Sequence, residues 1–444
     1  MSGAPKVLGV RAWQRWALSA AILLIVWRVL SLSLAVHVAS SNPSLALVWR
    51  ADEPHALMQA AKAAMEEGDW VKAKAYARRA LQVDPLDGSM FSLLGQVALL
   101  SAEPTVAPQA EAQAGADRLT PPLESIVTPL MQTALRHAPT DLLARAWLAE
   151  DAVRNGQIDQ ALGFYDRILR IAPEAHEAVL QQLASLMETG EARELMALRL
   201  SEQPPWRLDF LRTVSAPSVP IETMEATFTT LRVRSPLTVP ETALQVGRFV
   251  QAGQWGPAMS AWANSLNDAQ RASLSMPFNG SFHEPLAAPP FDWELKAPLG
   301  AVVSIEPTLF GDHSNALRVE FHGKRVDFHQ ARELVLLTPG AYRFDWRYRL
   351  SGLVTPRGLD WVVDCAAAPH QRLATSELMK GHNDWRQAEL RFQVPPGCGA
   401  QWLTLQLDAR IPAESLASGQ AWFTALRLTR LSLDEWRSAE LAVH

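Results

Sequence analysis

Residues 340–349 read Gly-Ala-Tyr-Arg-Phe-Asp-Trp-Arg-Tyr-Arg, with an aromatic at every second place (Tyr342, Phe344, Trp346, Tyr348) and Arg343, Asp345 and Arg347 between them. A period of two sends the aromatics to one side of an extended chain and the charges to the other, as in a half-buried β-strand. The same alternation recurs in Leu317, Val319 and Phe321 and in Trp422, Leu426 and Leu428. It also sets Leu390, Phe392 and Val394 against Glu389, Arg391 and Gln393, and Leu403, Leu405 and Leu407 against Trp402, Thr404 and Gln406. Short strands parted by Gly, Pro and Asn turns, running from residue 276 almost to the end, predict a two-sheet antiparallel sandwich. By phase, Trp346, Trp361 and Trp422 belong to its core.

Before residue 276 the period is helical. Ala73, Ala77 and Ala80 follow a turn at Gly68 and end at Pro85. Gly156, Ala161, Tyr165, Ile168 and Pro173 return in the same frame, with Leu148, Ala149 and Ala152 on the preceding helix. This frame resembles the tetratricopeptide repeat, an antiparallel helix pair of about 34 residues whose small side chains let the helices approach closely. Between the two units, Phe91, Leu94, Gly95 and Ala98 read as a first helix and Met131, Ala134 and Pro139 as a second, around an insertion loop at 101–121. A fourth unit covers His176 to Leu200. After a break at Pro204-Pro205 the frame shows again in Val246, Gly253, Trp255, Ala258 and Trp262. The resemblance implies a short curved solenoid that takes peptides or partner helices. Arg145, Arg154, Gln181 and Gln182 are polar enough to line its groove, although a solvated helix face is the commoner place for such residues.

From Trp16 to Val38 the chain is mostly apolar and reaches the roughly 20 residues that cross a bilayer. Lys6, Arg11 and Arg15 precede this stretch, whereas Arg50 after it stands beside Asp52 and Glu53, so the positive-inside bias leaves the N-terminus in the cytoplasm. Everything beyond is then expected outside the inner membrane. Arg28 falls within the run, where a guanidinium costs at least about 2.5 kcal/mol unless paired or snorkelled to a headgroup. A cleaved signal peptide, with Ala17 to Trp27 as apolar core and Val38-Ala39-Ser40 as cleavage site, is the other reading, and it too exports the remainder. Cys365 and Cys398, the only cysteines, are expected to form a disulfide in such a compartment, with two buried free thiols as the alternative. The expected organisation is multidomain α plus β: a cytoplasmic stretch 1–15, a membrane helix 16–38, a tetratricopeptide-like α-solenoid 53–200, further helical repeats 201–275, and the sandwich 276–432.

The strands also resemble the galactose-binding-like jelly roll of many carbohydrate-binding modules. The likeness runs from Asn279-Gly280-Ser281-Phe282 and Phe291-Asp292-Trp293, through Thr338-Pro339-Gly340-Ala341-Tyr342-Arg343 and Asp384-Trp385, to Ser418-Gly419-Gln420-Ala421-Trp422-Phe423. That family often places an Asp directly after the closing aromatic pair; Thr424 stands here, so the role attached to that Asp has no carrier. The complete order resembles envelope proteins encoded beside exopolysaccharide genes. It implies a non-catalytic, inner-membrane-anchored periplasmic scaffold for polysaccharide synthesis or export, with envelope proteins and glycan as partners.

A sugar-binding sheet needs a flat exposed aromatic flanked by polar groups. Trp402 qualifies first, sharing its side with Thr404 and Gln406, and Trp385 second, in phase with Gln387, Glu389 and Arg391. The candidate glycan set is therefore Trp402, Trp385, Arg391 and Gln406, with sheet packing as the alternative for the aromatics. An envelope adaptor that binds only proteins is the competing function. The formal charge of −5 and the scattered basic residues argue against nucleic acid. No cofactor or metal is expected, since no phosphate loop, nucleophile elbow or zinc-type His spacing occurs. A glycan-active enzyme is the remotest reading: Asp345, Asp360, Asp364 and Glu389 could approach one another in a sandwich, but none sits in a motif.

Overall fold

The structure, a computed structural model, describes residues 20–29, 31, 33, 37–39, 41–102, 123–308, 315–366, 371–432 and 434–436. It divides into two compact units, Met1–Val179 and Leu180–His444. The expected membrane segment 16–38 lies partly outside the described residues, as does the expected insertion loop from residue 103 onward. Residues 20–29 are helical, and among the described residues no helix is long and apolar enough to cross a membrane.

The first unit is built of helical hairpins. Pro54–Glu66 pairs with Trp70–Val83, Gly88–Ala102 with Leu123–His137, and Leu142–Arg154 with Ile158–Ile171. Alanines make the close contacts: Ala61, Ala64, Ala73 and Ala77 are buried together with Leu93 and Val97. Val127, Met131, Ala134, Ala144 and Leu148 form the next layer, against Phe91 and Phe164. Two hairpins share one turn. Gly68 (φ +76°) and Gly156 (φ +70°) adopt the left-handed conformation, and the residue after each returns its N–H to a carbonyl five places back, Asp69 to Ala64 and Gln157 to Ala152. This is the glycine-terminated helix end that satisfies carbonyls otherwise left without donors.

The second unit carries more helices and then the sandwich. The turn at Gly253 (φ +68°) repeats the same backbone pattern, Gln254 N–H to Phe249 C=O, between the helices Val239–Gln251 and Trp255–Ala263. A buried ion pair ties two helices here. Arg207, on Arg207–Val214, donates through Nε to Glu241 Oε1 (2.6 Å) and through Nη2 to Oε2 (2.9 Å). Its Nη1 also reaches Leu200 C=O (2.8 Å), and Glu241 accepts from the N–H of Thr238, closing a capping box.

Among the described residues ten strands follow the helices. One sheet has the order β1 (Glu294–Leu295), β4 (Ala331–Val335), β9 (Gln401–Leu407), β6 (Leu359–Cys365) and β7 (Arg372–Thr375). The other has β2 (Ala301–Pro307), β3 (Asn315–Arg325), β10 (Leu416–Arg430), β5 (Gly340–Val354) and β8 (Gly381–Val394). All pairings are antiparallel. Trp361 centres the core between the sheets, with the rings of Trp293, Phe344 and Phe423 at 5.8, 5.3 and 5.7 Å. Cys365, at the end of β6, is disulfide-bonded to Cys398 in the turn before β9, with Cα atoms 5.7 Å apart. The helix Trp255–Ala263 meets this sandwich directly: Trp262 packs on Phe278 (5.0 Å) and Phe291 (5.8 Å).

One expectation about the strands is corrected. Trp422 is not core: it is half-buried on the outer side of β10, with the Arg349 guanidinium 5.3 Å from its ring. The alternation that aligned it with Leu426 and Leu428 is broken by a bulge, because Thr424 pairs with Arg347 but Arg427 with Asp345, one residue too many on β10. Ala425 in the bulge takes φ +52°. Ala421 and Phe423 therefore face inward before it and Leu426 and Leu428 after it.

Candidate functional site

The first unit holds a polar recess of about 520 Å³ between Leu123–His137 and the hairpin Leu142–Ile171, lined by Glu124, Thr128, Gln132, Asp151, Gln160 and Phe164 among others. None of Arg145, Arg154, Gln181 and Gln182 lines it. Arg145 donates to the carbonyl of Pro139, and Arg154 pairs with Asp151 (3.3 Å) while its guanidinium lies 5.5 Å from the Trp147 ring. The recess thus offers carboxylates and amides, and the four polar residues weighed as groove lining stand outside it.

On the sandwich, the four candidate glycan residues separate. Trp402 and Gln406 lie on the outer face of the β1-β4-β9-β6-β7 sheet, because Leu403, Leu405 and Leu407 take the core side of β9. Trp385 and Arg391 keep the outer phase of β8 on the opposite sheet, where Ala388, Leu390 and Phe392 face the core. One ligand cannot span both faces of a sandwich whose two sheets pack about 10 Å apart. The half-buried Trp402 and its neighbours form the better-built group.

Antiparallel register places Trp402 in the cross-strand row Leu334–Trp402–Asp364–Arg372. Beside it run Arg332–Thr404–Val362–Thr375, and then Gln406 with Asp360. Charged side chains brace this floor. Arg372 donates to both carboxylate oxygens of Asp364 (2.9 and 3.2 Å), and Arg332 donates through Nε to Glu294 (2.9 Å). The Arg332 guanidinium lies 4.3 Å from the Trp402 ring centroid, so one face of the indole is already stacked. Asp360 is buried and accepts from Gln406, while its Oδ1 has no hydrogen-bond partner. Burial, with the Asp408 charge nearby, pushes its carboxyl up to about 6. The face therefore combines an aromatic surface with donors and acceptors at several depths. Arg332 was missed in the sequence and Asp360 was weighed only as an acidic candidate, because both come from strands far from Trp402 along the chain.

The acidic residues weighed for catalysis also part company. Asp360 and Asp364 belong to this face, whereas Asp345 and Glu389 pair across the other sheet. Asp345 is bonded to Arg343 (2.9 Å), and Glu389 to Arg391 (2.8 Å). Among the described residues no group of three or more His, Cys, Asp or Glu is arranged to hold a metal ion.

No family model and no curated protein matches the chain. Among solved structures it is similar to a CBM4 module, at 13% identity over 34% of this chain and 98% of that one, with a TM-score of 0.26. It is also similar to YrrB, a TPR protein with an unusual peptide-binding site, at 11% identity over 50% and 90% (TM-score 0.26). PilW, a widely conserved type IV pilus biogenesis factor, shows 15% identity over 48% and 91% (TM-score 0.25). At such scores these likenesses decide neither fold nor function.

Proposed function

We propose that the protein is a non-catalytic envelope scaffold that contacts glycan through the Trp402 face and holds protein partners with its helical hairpins, in the service of polysaccharide synthesis or export. The observation that carries the glycan contact is the placing of a half-buried Trp402 beside Arg332, Thr404 and Gln406 on an outer sheet face. An indole edge and face suit the C–H surface of a pyranose, and guanidinium, amide and hydroxyl groups suit its hydroxyls. The bonded cysteines support a location outside the cytoplasm, in keeping with an anchoring segment at 16–38 whose flanking charges point the bulk of the chain outward.

Titration calorimetry of the full chain against purified bacterial surface polysaccharides tests the glycan contact. Saturable heat is expected, weakened about tenfold or more in Trp402→Ala, which corresponds to about 1.4 kcal/mol. Unchanged binding in that variant, with its fold intact, would remove the Trp402 face from the proposal. A second reading, an adaptor for proteins alone, is favoured by one observation: Arg332 already occupies a face of the Trp402 ring. Trp402→Ala separates the two: on the first reading it weakens polysaccharide binding with the fold intact, and on the second neither parent nor variant gives polysaccharide heat while capture of a protein partner changes.

A further inference from the structure

The opposite sheet carries a second recess, unrelated to Trp402. It lies where β10 bulges, has a volume of about 770 Å³, and is lined by Ser281, Arg343, Arg347, Gln387, Arg427 and Thr429 among others. The bulge creates it. Beyond Phe423, β10 leaves β3 and instead bonds to the segment before the first strand, Leu426 N–H to Gly280 C=O (2.9 Å) and Leu428 N–H to Met276 C=O (2.6 Å). The changed phase turns Arg427 and Thr429 outward, onto the same face as Arg343 and Arg347.

Three cross-strand rows cover this face: Thr424–Arg347–Gln387, Arg427–Asp345–Glu389 and Thr429–Arg343–Arg391. Asp345 and Glu389 are taken up by Arg343 and Arg391. Arg347 and Arg427 are exposed, and their side chains make no hydrogen bond or ion pair among the described residues. Two exposed guanidiniums without a side-chain partner stand beside one recess and are available to an anion, and a planar guanidinium matches a carboxylate with two parallel hydrogen bonds.

The size and lining narrow the class. An inorganic anion would fill a small part of a recess within the ~300–1,000 Å³ range of small-molecule sites. A flat bilayer surface would not enter a concavity. Gln387, Ser281 and Thr429 surround the arginines with groups that can both donate and accept, which suits a hydroxyl-rich ring. We infer that the recess at the β10 bulge binds a uronic acid residue of a glycan, its carboxylate held by Arg347 and Arg427.

Calorimetry of the full chain with digalacturonate tests this, alongside neutral digalactose, tetraglutamate, inorganic phosphate and vesicles containing phosphatidylglycerol. Digalacturonate is expected to bind saturably in dilute salt, about tenfold or more tightly than digalactose. The double variant Arg347→Gln/Arg427→Gln should lose about tenfold or more in affinity, the scale of a charge-assisted pair. Both arginines are exposed and without partners, so the double variant is expected to melt as the parent does; should it not, the single Arg427→Lys, which keeps the charge but loses the fork, must weaken binding alone. Equal affinity in the variant, no binding of digalacturonate, or preference for tetraglutamate, phosphate or vesicles would each overturn the assignment.

Discussion

Asp292 and Glu333 are carboxyls that the fold prefers uncharged. Asp292 is fully buried, accepts from the N–H groups of Ala287 (2.6 Å) and Trp293 (2.7 Å), and is nevertheless pushed up to about 7 by burial. Glu333 accepts from Phe278 N–H (2.7 Å) with one oxygen and has no partner for the other; burial, then the nearby Asp292, raise it well above the usual carboxylate range. An acid whose folded pKa is raised contributes stability that is full below its unfolded pKa, about 4, and is lost as pH rises through the folded value. The melting temperature of the second unit should therefore fall between pH 5 and pH 8, and Glu333→Gln should flatten that slope; a parent profile already flat over this window would refute the assignment. At this scale the sequence was partly legible. Simple alternation put Trp402 on the outer side correctly. It could not show Arg332 stacked on that ring, since the two meet only through β4–β9 pairing. It misplaced Trp422, because the bulge at Ala425 uses no Gly or Asn and leaves no mark in composition.

Hairpin turns and the Arg207–Glu241 bridge set the behaviour of the helices. A methyl added at Gly68 or Gly156 meets nothing within 4 Å, so Gly→Ala there isolates the cost of a left-handed backbone. Each should destabilise the first unit by about 1–2 kcal/mol in urea unfolding. Arg207→Met leaves Glu241 buried without its cation and should cost about 3–5 kcal/mol, much of it recovered by adding Glu241→Leu. Glu241 obeys the opposite pH rule to Glu333. Burial works to raise it, but the bonds from Arg207 and Thr238 outweigh that and hold it below the usual range, so its contribution is lost as pH falls through the acid range. The repeat frame made the glycine turns readable, because only a left-handed position calls for glycine just there. The bridge left no such sign, since Arg207 and Glu241 look like any helix-surface pair until the fold buries them.

Over the whole chain, the change from helical to alternating periodicity marks where strands begin but not where the compact units divide. The last helix before the strands, Asp268–Ala272, belongs to the same unit as the sandwich, and the division falls at Val179–Leu180, inside the helix His176–Leu186. Periodicity could not reveal this, for the pattern is helical on both sides of residue 180. Reduction of Cys365–Cys398 acts on the second unit alone; with the cysteines 33 positions apart, opening the loop should cost roughly 4 kcal/mol on the chain-entropy account, read as a shift of only the second unit's melting step under reductant. The seating of Trp262 against Phe278 and Phe291 has a practical meaning for anyone who wants to transplant the sandwich. A cassette cut at residue 276 would leave with two phenyl rings stripped of their indole cover and should clump, whereas one cut ahead of the helix His176–Leu186 takes its own lid along and should travel as a soluble piece.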